Sequence, residues 1–331
     1  MGIKVGIPRG LFYYQYYPLW KTFLEELGAE VILSERTTKK ILDDGVRACV
    51  DEACLPVKLF HGHVINIKDK VDFLFIPRFT SISKKQYICP KFGGLPDMIR
   101  HTINDLPQII DAEVNMRKSE KASLKAAFEV GSYFTKDRSR IAEAYDEAVK
   151  EYRQHCDSIK NGNLPFSNLT SNKKVHPMKN LSRRLNVVVI GHVYNIYDDY
   201  MNMNMLKKLS DNNVNIITAD MIDGSIIDEK ASLLSKKIFW EFGSKALGSV
   251  LHLLDRQDID GIIYLMSFGC GIDSFIADLV ERKIRREGDI PFTILTIDEH
   301  SGEAGMDTRL EAFIDMIRWR DKNESNISAH G

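Results

Sequence analysis

Apolar residues in this chain fall into short continuous runs separated by longer amphipathic stretches, the pattern of buried parallel strands alternating with covering helices. Residues 3–7 form the first run and Glu30–Leu33 the second; helical apolar spacing over 17–27 lies between them, with Gly28 as the stop. Thr37 or Thr38 caps a predicted helix reaching about Val50, Leu55–Ile67 reads as another, and residues 71–76 form a strand ending at Pro77. This order predicts a parallel sheet covered by helices. Further on, 95–103 is predicted helical and 108–112 a strand, with two more helices over 119–134 and from 138 to about 159.

Between residues 161 and 184 the pattern dissolves into Asn, Ser, Lys and Pro, and a second α/β series follows. Strands are predicted at 185–190, 214–217, 261–265 and Phe292–Ile297, and helices at 199–210, 238–254, 272–287 and 308–317, with a loose polar tail beyond. The expected fold class is α/β with two doubly wound domains. The N-terminal domain spans 1–160 with trailing helices, 161–184 is the crossing segment, and the C-terminal domain spans 185–322.

Composition narrows the function. Lys+Arg (45) and Asp+Glu (46) nearly cancel, which leaves no basic field for nucleic acid. No apolar run approaches the roughly 18 residues of a membrane span, and the chain opens directly into a strand without a signal pattern, so a cytoplasmic protein without a membrane segment is expected. The five cysteines are an odd number without close pairing, which argues against a disulfide framework, and no C-x-x-C occurs. Any metal site is therefore assembled by tertiary structure.

Three cysteines sit at predicted breaks beside Gly or Pro: Cys54 in Asp51-Glu-Ala-Cys-Leu-Pro, Cys89 in Tyr87-Ile-Cys-Pro-Lys, and Cys270 in Ser267-Phe-Gly-Cys-Gly-Ile-Asp. Backbone turned at Gly or Pro holds thiolates inward, as a metal site needs. Cys270 lies at a predicted helix start, where free N–H groups favour a thiolate, an anionic cluster or an anionic substrate. The alternative for each is a small buried side chain at a tight turn. Cys49 and Cys156 fall inside predicted helices and read as core and surface. Candidate substrate contacts are Arg9 after the first strand, His192, Tyr194 and Asn195 after the strand at 185–190, and Glu299 and His300 after the last strand. Local loop and helix-cap roles compete with that assignment for His192 and Asn195. The aromatic run Phe12-Tyr-Tyr-Gln-Tyr-Tyr17 lines a pocket or a partner interface, or packs the first helix on the sheet. No G-x-G-x-x-G or P-loop is present, so NAD binding and P-loop ATP hydrolysis have no support.

At Ile7-Pro-Arg-Gly-Leu, Asp51-Glu-Ala-Cys-Leu-Pro-Val-Lys58, Cys89-Pro-Lys-Phe-Gly-Gly-Leu-Pro96, Gly191-His-Val-Tyr-Asn-Ile-Tyr-Asp198, Phe268-Gly-Cys-Gly-Ile-Asp273 and Asp298-Glu-His-Ser-Gly-Glu303, the chain resembles proteins related to 2-hydroxyacyl-CoA dehydratases and their activases. More narrowly it is similar to the activase-related family of the DUF2229 type. The resemblance implies two Rossmann-like domains with a 4Fe-4S cluster between them, held by Cys54, Cys89 and Cys270. It also implies low-potential electron-driven reduction or dehydration of a small-molecule or acyl-CoA substrate. The chain departs from the activases in lacking their actin-like nucleotide module, so the electron is expected from a separate partner, an ATP-dependent activase or a related cluster-bearing subunit. Two other readings stay open: an accessory electron-transfer protein with no substrate of its own, and a metal-free α/β binding domain.

Overall fold

The computed structural model describes residues 2–119, 121–165, 183–234 and 236–328. They build two compact units, each with its own parallel sheet. The first unit takes the described residues up to Pro165 together with the segment Leu234–Ser244, and the second takes the remainder from 183 onward.

In the first unit the chain runs β1 (Lys4–Ile7), α1 (Tyr13–Glu26), β2 (Glu30–Leu33), α2 (Lys39–Ala48), α3 (Leu55–Ile67), β3 (Phe73–Phe75), β4 (Arg78–Ser81), α4 (Pro90–Thr102), β5 (Gln108–Ile110), β6 (Glu113–Asn115), α5 (Lys121–Gly131) and α6 (Arg138–Lys160). The sheet order is β2-β1-β3-β5, all parallel, with Val5 opposite both Val31 and Phe73. Val5 and Ile7 are fully buried in the central strand, as a parallel strand covered on both faces requires. From β1 the chain goes to one side for β2 and to the other for β3, so the carboxyl ends of β1 and β3 flank a topological switch point.

The second unit contains β7 (Leu185–Gly191), α7 (Val193–Tyr197), α8 (Met205–Asp211), β8 (Val214–Thr218), α9 (Gly224–Ser232), most of α10 (Glu241–Leu254), β9 (Gly261–Ser267), α11 (Gly271–Glu287), β10 (Phe292–Ile297) and α12 (Glu303–Ser328). Its order, β10-β9-β7-β8 and again all parallel, has the same connectivity as the first sheet. Here the switch point lies between β7 and β9. Val187, Val188, Val189, Ile262 and Ile263 are fully buried at its centre.

The structure departs from the sequence pattern at identifiable places. The stretch 199–210 is not one helix: Met203 and Asn204 take left-handed backbone (φ 55° and 58°), and a new helix starts at Met205. Helix α4 begins at Pro90, directly after Cys89, because proline fits the first helical position, where its missing N–H costs nothing. Strands β4 and β6 pair with each other and continue the β3–β5 pairing, with the Ile76 N–H donating to the Ile110 carbonyl at 3.0 Å and the Arg78 N–H to the Ala112 carbonyl at 3.1 Å; their polar-rich sequences, Arg-Phe-Thr-Ser and Glu-Val-Asn, carry no buried-strand signal. The segment Leu234–Ser244 groups with the first unit although its sequence reads as part of the second domain. The Tyr87 N–H donates to the Phe239 carbonyl at 2.8 Å, that of Glu241 donates to the Tyr87 carbonyl at 2.9 Å, and Phe242 packs on Phe12 and Phe92. Helix α12 continues to Ser328, where a loose tail was expected. Most of the predicted crossing, residues 166–182, lies outside the described residues.

Candidate metal centre

Beyond the switch point of the second sheet, three side chains from two strand ends converge. Gly191 ends β7 so close to β9 that a Cβ there would stand 2.4 Å from the Leu265 carbonyl oxygen. This close approach delivers His192, the N-cap of α7, beside the end of β9. After β9 the chain turns through Gly269, whose φ of 76° suits a residue without Cβ, and Cys270 becomes the N-cap of α11. Asp273 follows in the first turn of α11. The ligating atoms of His192, Cys270 and Asp273 all lie within 4.8 Å of one another.

His192 Nε2 is 3.2 Å from Asp273 Oδ2 and 3.8 Å from Cys270 Sγ. The Tyr264 hydroxyl donates to Asp273 Oδ1 at 3.0 Å, whereas buried Oδ2 has no aligned hydrogen-bond donor among the described residues. Burial works against charge on His192, but the Asp273 carboxylate overrides it, Cys270 adds to the effect, and the pKa is pushed up to about 10. Burial, with the Asp273 charge added, raises the Tyr264 phenol well above its ordinary value and keeps it a donor. The His192 ring stacks on Tyr194 at 4.9 Å. Ser267 Oγ donates to Asn195 Oδ1 at 2.9 Å, and buried Asn195 Nδ2 has no partner among the described residues. One imidazole, one thiolate and one carboxylate form a donor set that suits zinc or iron and leaves a coordination position open. Loading it displaces the imidazolium proton. Phe268 and Phe275, 68% and 65% exposed, flank Cys270 in sequence.

The other two expected cysteines share one structural role with Cys270. Cys54 is the N-cap of α3 and Cys89 the N-cap of α4, both half-buried, and in none of the three does sulfur serve as the capping acceptor. None of the five cysteines forms a disulfide. Cys49 is the C-cap of α2; burial pushes its thiol up while Lys58 and Lys91 pull it down. Those lysines sit in the first turns of α3 and α4, so both helix starts belong to one neighbourhood with Cys49. Phe60 of α3 and Phe92 of α4 accordingly line one small cavity with the turn after β1. Cys156 lies half-buried on α6.

Arg9 follows β1 at the switch point of the first sheet. Its backbone N–H donates to Ser34 Oγ at 2.9 Å and its guanidinium stands 5.9 Å over the Tyr13 ring, while buried Nε meets no acceptor among the described residues. Glu299 and His300 occupy a loop that Asp298 holds by accepting from the His300 N–H and from Ser301 Oγ, both at 2.9 Å; His300 is exposed. The sequence reading passed over Asp273 and Tyr264 as site residues. The available signal was the Cys270-x-x-Asp273 spacing, which puts both side chains at one helix end.

Residues 4–222 match the family described as CoA enzyme activase uncharacterised domain (DUF2229). The matched span holds Cys54, Cys89 and His192, and Cys270 and Asp273 lie beyond it. No curated protein matches the chain.

Proposed function

The chain belongs to the CoA enzyme activase uncharacterised domain family (DUF2229), and from that premise we propose that it is an iron–sulfur protein whose Cys54, Cys89 and Cys270 hold a 4Fe-4S cluster. It works, on this reading, in the cytoplasm with an ATP-dependent activase or a related cluster-bearing subunit, in low-potential reduction or dehydration of a small substrate. The observation that carries the proposal is the shared role of the three cysteines. Each caps the N-terminus of a helix, of 13, 13 and 17 residues, and keeps its sulfur out of the capping bond. Partial positive charge at a helix start stabilises a thiolate and an anionic cluster. Lys58 and Lys91, in the first turns of the helices that Cys54 and Cys89 cap, both act on neighbouring Cys49 and add cationic charge to that region.

When bound, the cluster supplies a one-electron store with one iron not held by cysteine. The chain's own residues do the rest. His192 holds a proton between Asp273 and Cys270, Asn195 offers an unmet amide donor to a substrate oxygen, and Arg9 offers its unmet Nε to an anionic group. Tyr194, Glu299 and His300 complete the proposed substrate contacts, and exposed Phe268 and Phe275 give a partner apolar surface near Cys270. Matching parallel sheets with a switch point fit the Rossmann-like pair expected of the family.

A second reading is a single metal ion on His192, Cys270 and Asp273, favoured by their mutual approach within 4.8 Å. Anaerobic purification with iron and sulfide analysis separates the two. The cluster reading expects Cys54→Ala and Cys89→Ala to lose most of the iron and Asp273→Asn to keep it. The single-ion reading expects the reverse.

A further inference from the structure

We infer that the first unit contains a binding site for a small, uncharged, largely aromatic molecule, in a partly open pocket lined by α1, α5 and α6 and by the strands β3, β4 and β6. A cavity of about 360 Å³ lies there. Protein interiors pack so tightly that few voids exceed a water molecule, and a 150 Å³ apolar cavity already takes a benzene ring. A space more than twice that size fits a molecule of about two fused rings.

The walls define the ligand's chemistry. Tyr16, Trp20, Phe23 and Phe79 present aromatic surface, with Tyr16 and Phe79 stacked at 5.8 Å and Trp20 set edge-on to Phe75 at 5.3 Å. Among the described residues no Lys, Arg, His, Asp or Glu lines the space. A carboxylate would lose its water there and find no counter-charge. Burial holds the Tyr16 and Tyr152 phenols neutral, with Glu241 adding to the effect at Tyr16 and Tyr16 at Tyr152. The Tyr152 hydroxyl is engaged by Gln15 and Cys156, neither of which lines the space, so the walls offer a ligand mainly apolar and aromatic surface, and Glu241 close to Tyr16 further disfavours anions.

The void owes its existence to small residues. Ala126 and Ala127 on α5 and Ala112 after β5 face it, where larger apolar side chains would close it. Trp20, Phe75, Pro77 and Phe79 also line the small cavity that reaches Phe60 and Phe92, near the starts of α3 and α4. The site stands whether or not the cysteines hold iron.

The test is isothermal titration of the full chain with 1-naphthol, and with 1-naphthoate as the same ring system carrying a charge. Saturable one-to-one binding of 1-naphthol is expected, with 1-naphthoate weaker by roughly tenfold or more. Ala127→Phe fills the space and should weaken 1-naphthol by roughly tenfold or more while its thermal midpoint holds. Val149→Phe, from the α6 wall, should do the same. Absent naphthol binding, equal binding of naphthoate, or unchanged binding in both variants overturns the site, and so does failure of both variants to fold, since they would then be meeting packed atoms. Binding in Cys54→Ala should equal wild type, which separates this outcome from that of the cluster proposal.

Discussion

His192 is where the chemistry of the second sheet concentrates, because one ring nitrogen faces both a carboxylate and a thiol. The raised pKa of about 10 follows from Asp273 overcoming burial, so the carboxylate is the part to remove. In metal-free Asp273→Asn, a proton NMR titration should find the His192 pKa lowered toward the ordinary value near 6.5. An unchanged pKa would mean that another group holds the proton. Cys270 was legible as a candidate from its glycine neighbours, since backbone turns leave their mark in residue type. Asp273 was not, because an aspartate in a helix's first turn reads as a favourable charge at the N-terminus. Only the approach of β7 to β9 turns it into part of a site.

Among elements, α2 and α3 show how glycine sets a contact that fixes the Cys49 and Cys54 region. A Cβ at Gly62 would stand 1.9 Å from the Ile41 carbonyl oxygen, and one at Gly45 2.0 Å from that of Lys58. Gly62→Ala must push the helices apart and should cost about 3 kcal/mol by urea denaturation. A loss below about 0.5 kcal/mol, the usual size for surface changes, would contradict the close contact. Helix α3 also buries two histidines. His63 lies between Ser34 Oγ at 2.9 Å and Thr37 Oγ1 at 3.0 Å, and burial, with the Arg9 charge added, lowers its pKa to about 3; burial lowers that of His61 as well. A histidine held neutral in the fold gains its proton on unfolding, so its contribution is present above pH about 6.5 and is lost as pH falls toward 3. Between pH 7 and 5, His63 should account for a loss of about 2 kcal/mol in urea-derived stability, and His63→Gln should show a shallower dependence. Equal slopes would remove His63 from the account. The bounds of α3 were fully legible, because Pro56 and the continuous apolar run mark a buried helix. Strands β4 and β6 were not, since short mixed-polarity strands pair by backbone alone.

For the whole molecule, the repeated strand–helix rhythm announced two parallel sheets, and the structure gives both the same strand connectivity. What the rhythm did not announce is the grouping of Leu234–Ser244 with the first unit, which depends on backbone pairing with Tyr87 and on Phe242 packing rather than on periodicity. The aromatic run near the N-terminus was legible as a pocket or a packing face, and the structure uses it for both: Phe12 packs against Phe92, and Tyr16 lines the cavity. The proposed cluster rests on Cys54, Cys89 and Cys270 acting as one ligand set. Its most direct test is the iron and sulfide content of the anaerobically purified chain and its single-cysteine variants. About four irons and about four sulfides per chain are expected. Most of the iron should be lost in each of Cys54→Ala, Cys89→Ala and Cys270→Ala, and none in Cys156→Ala. Iron-free protein after anaerobic reconstitution, or metal that depends on His192 and Asp273 but not on Cys54 and Cys89, would contradict it.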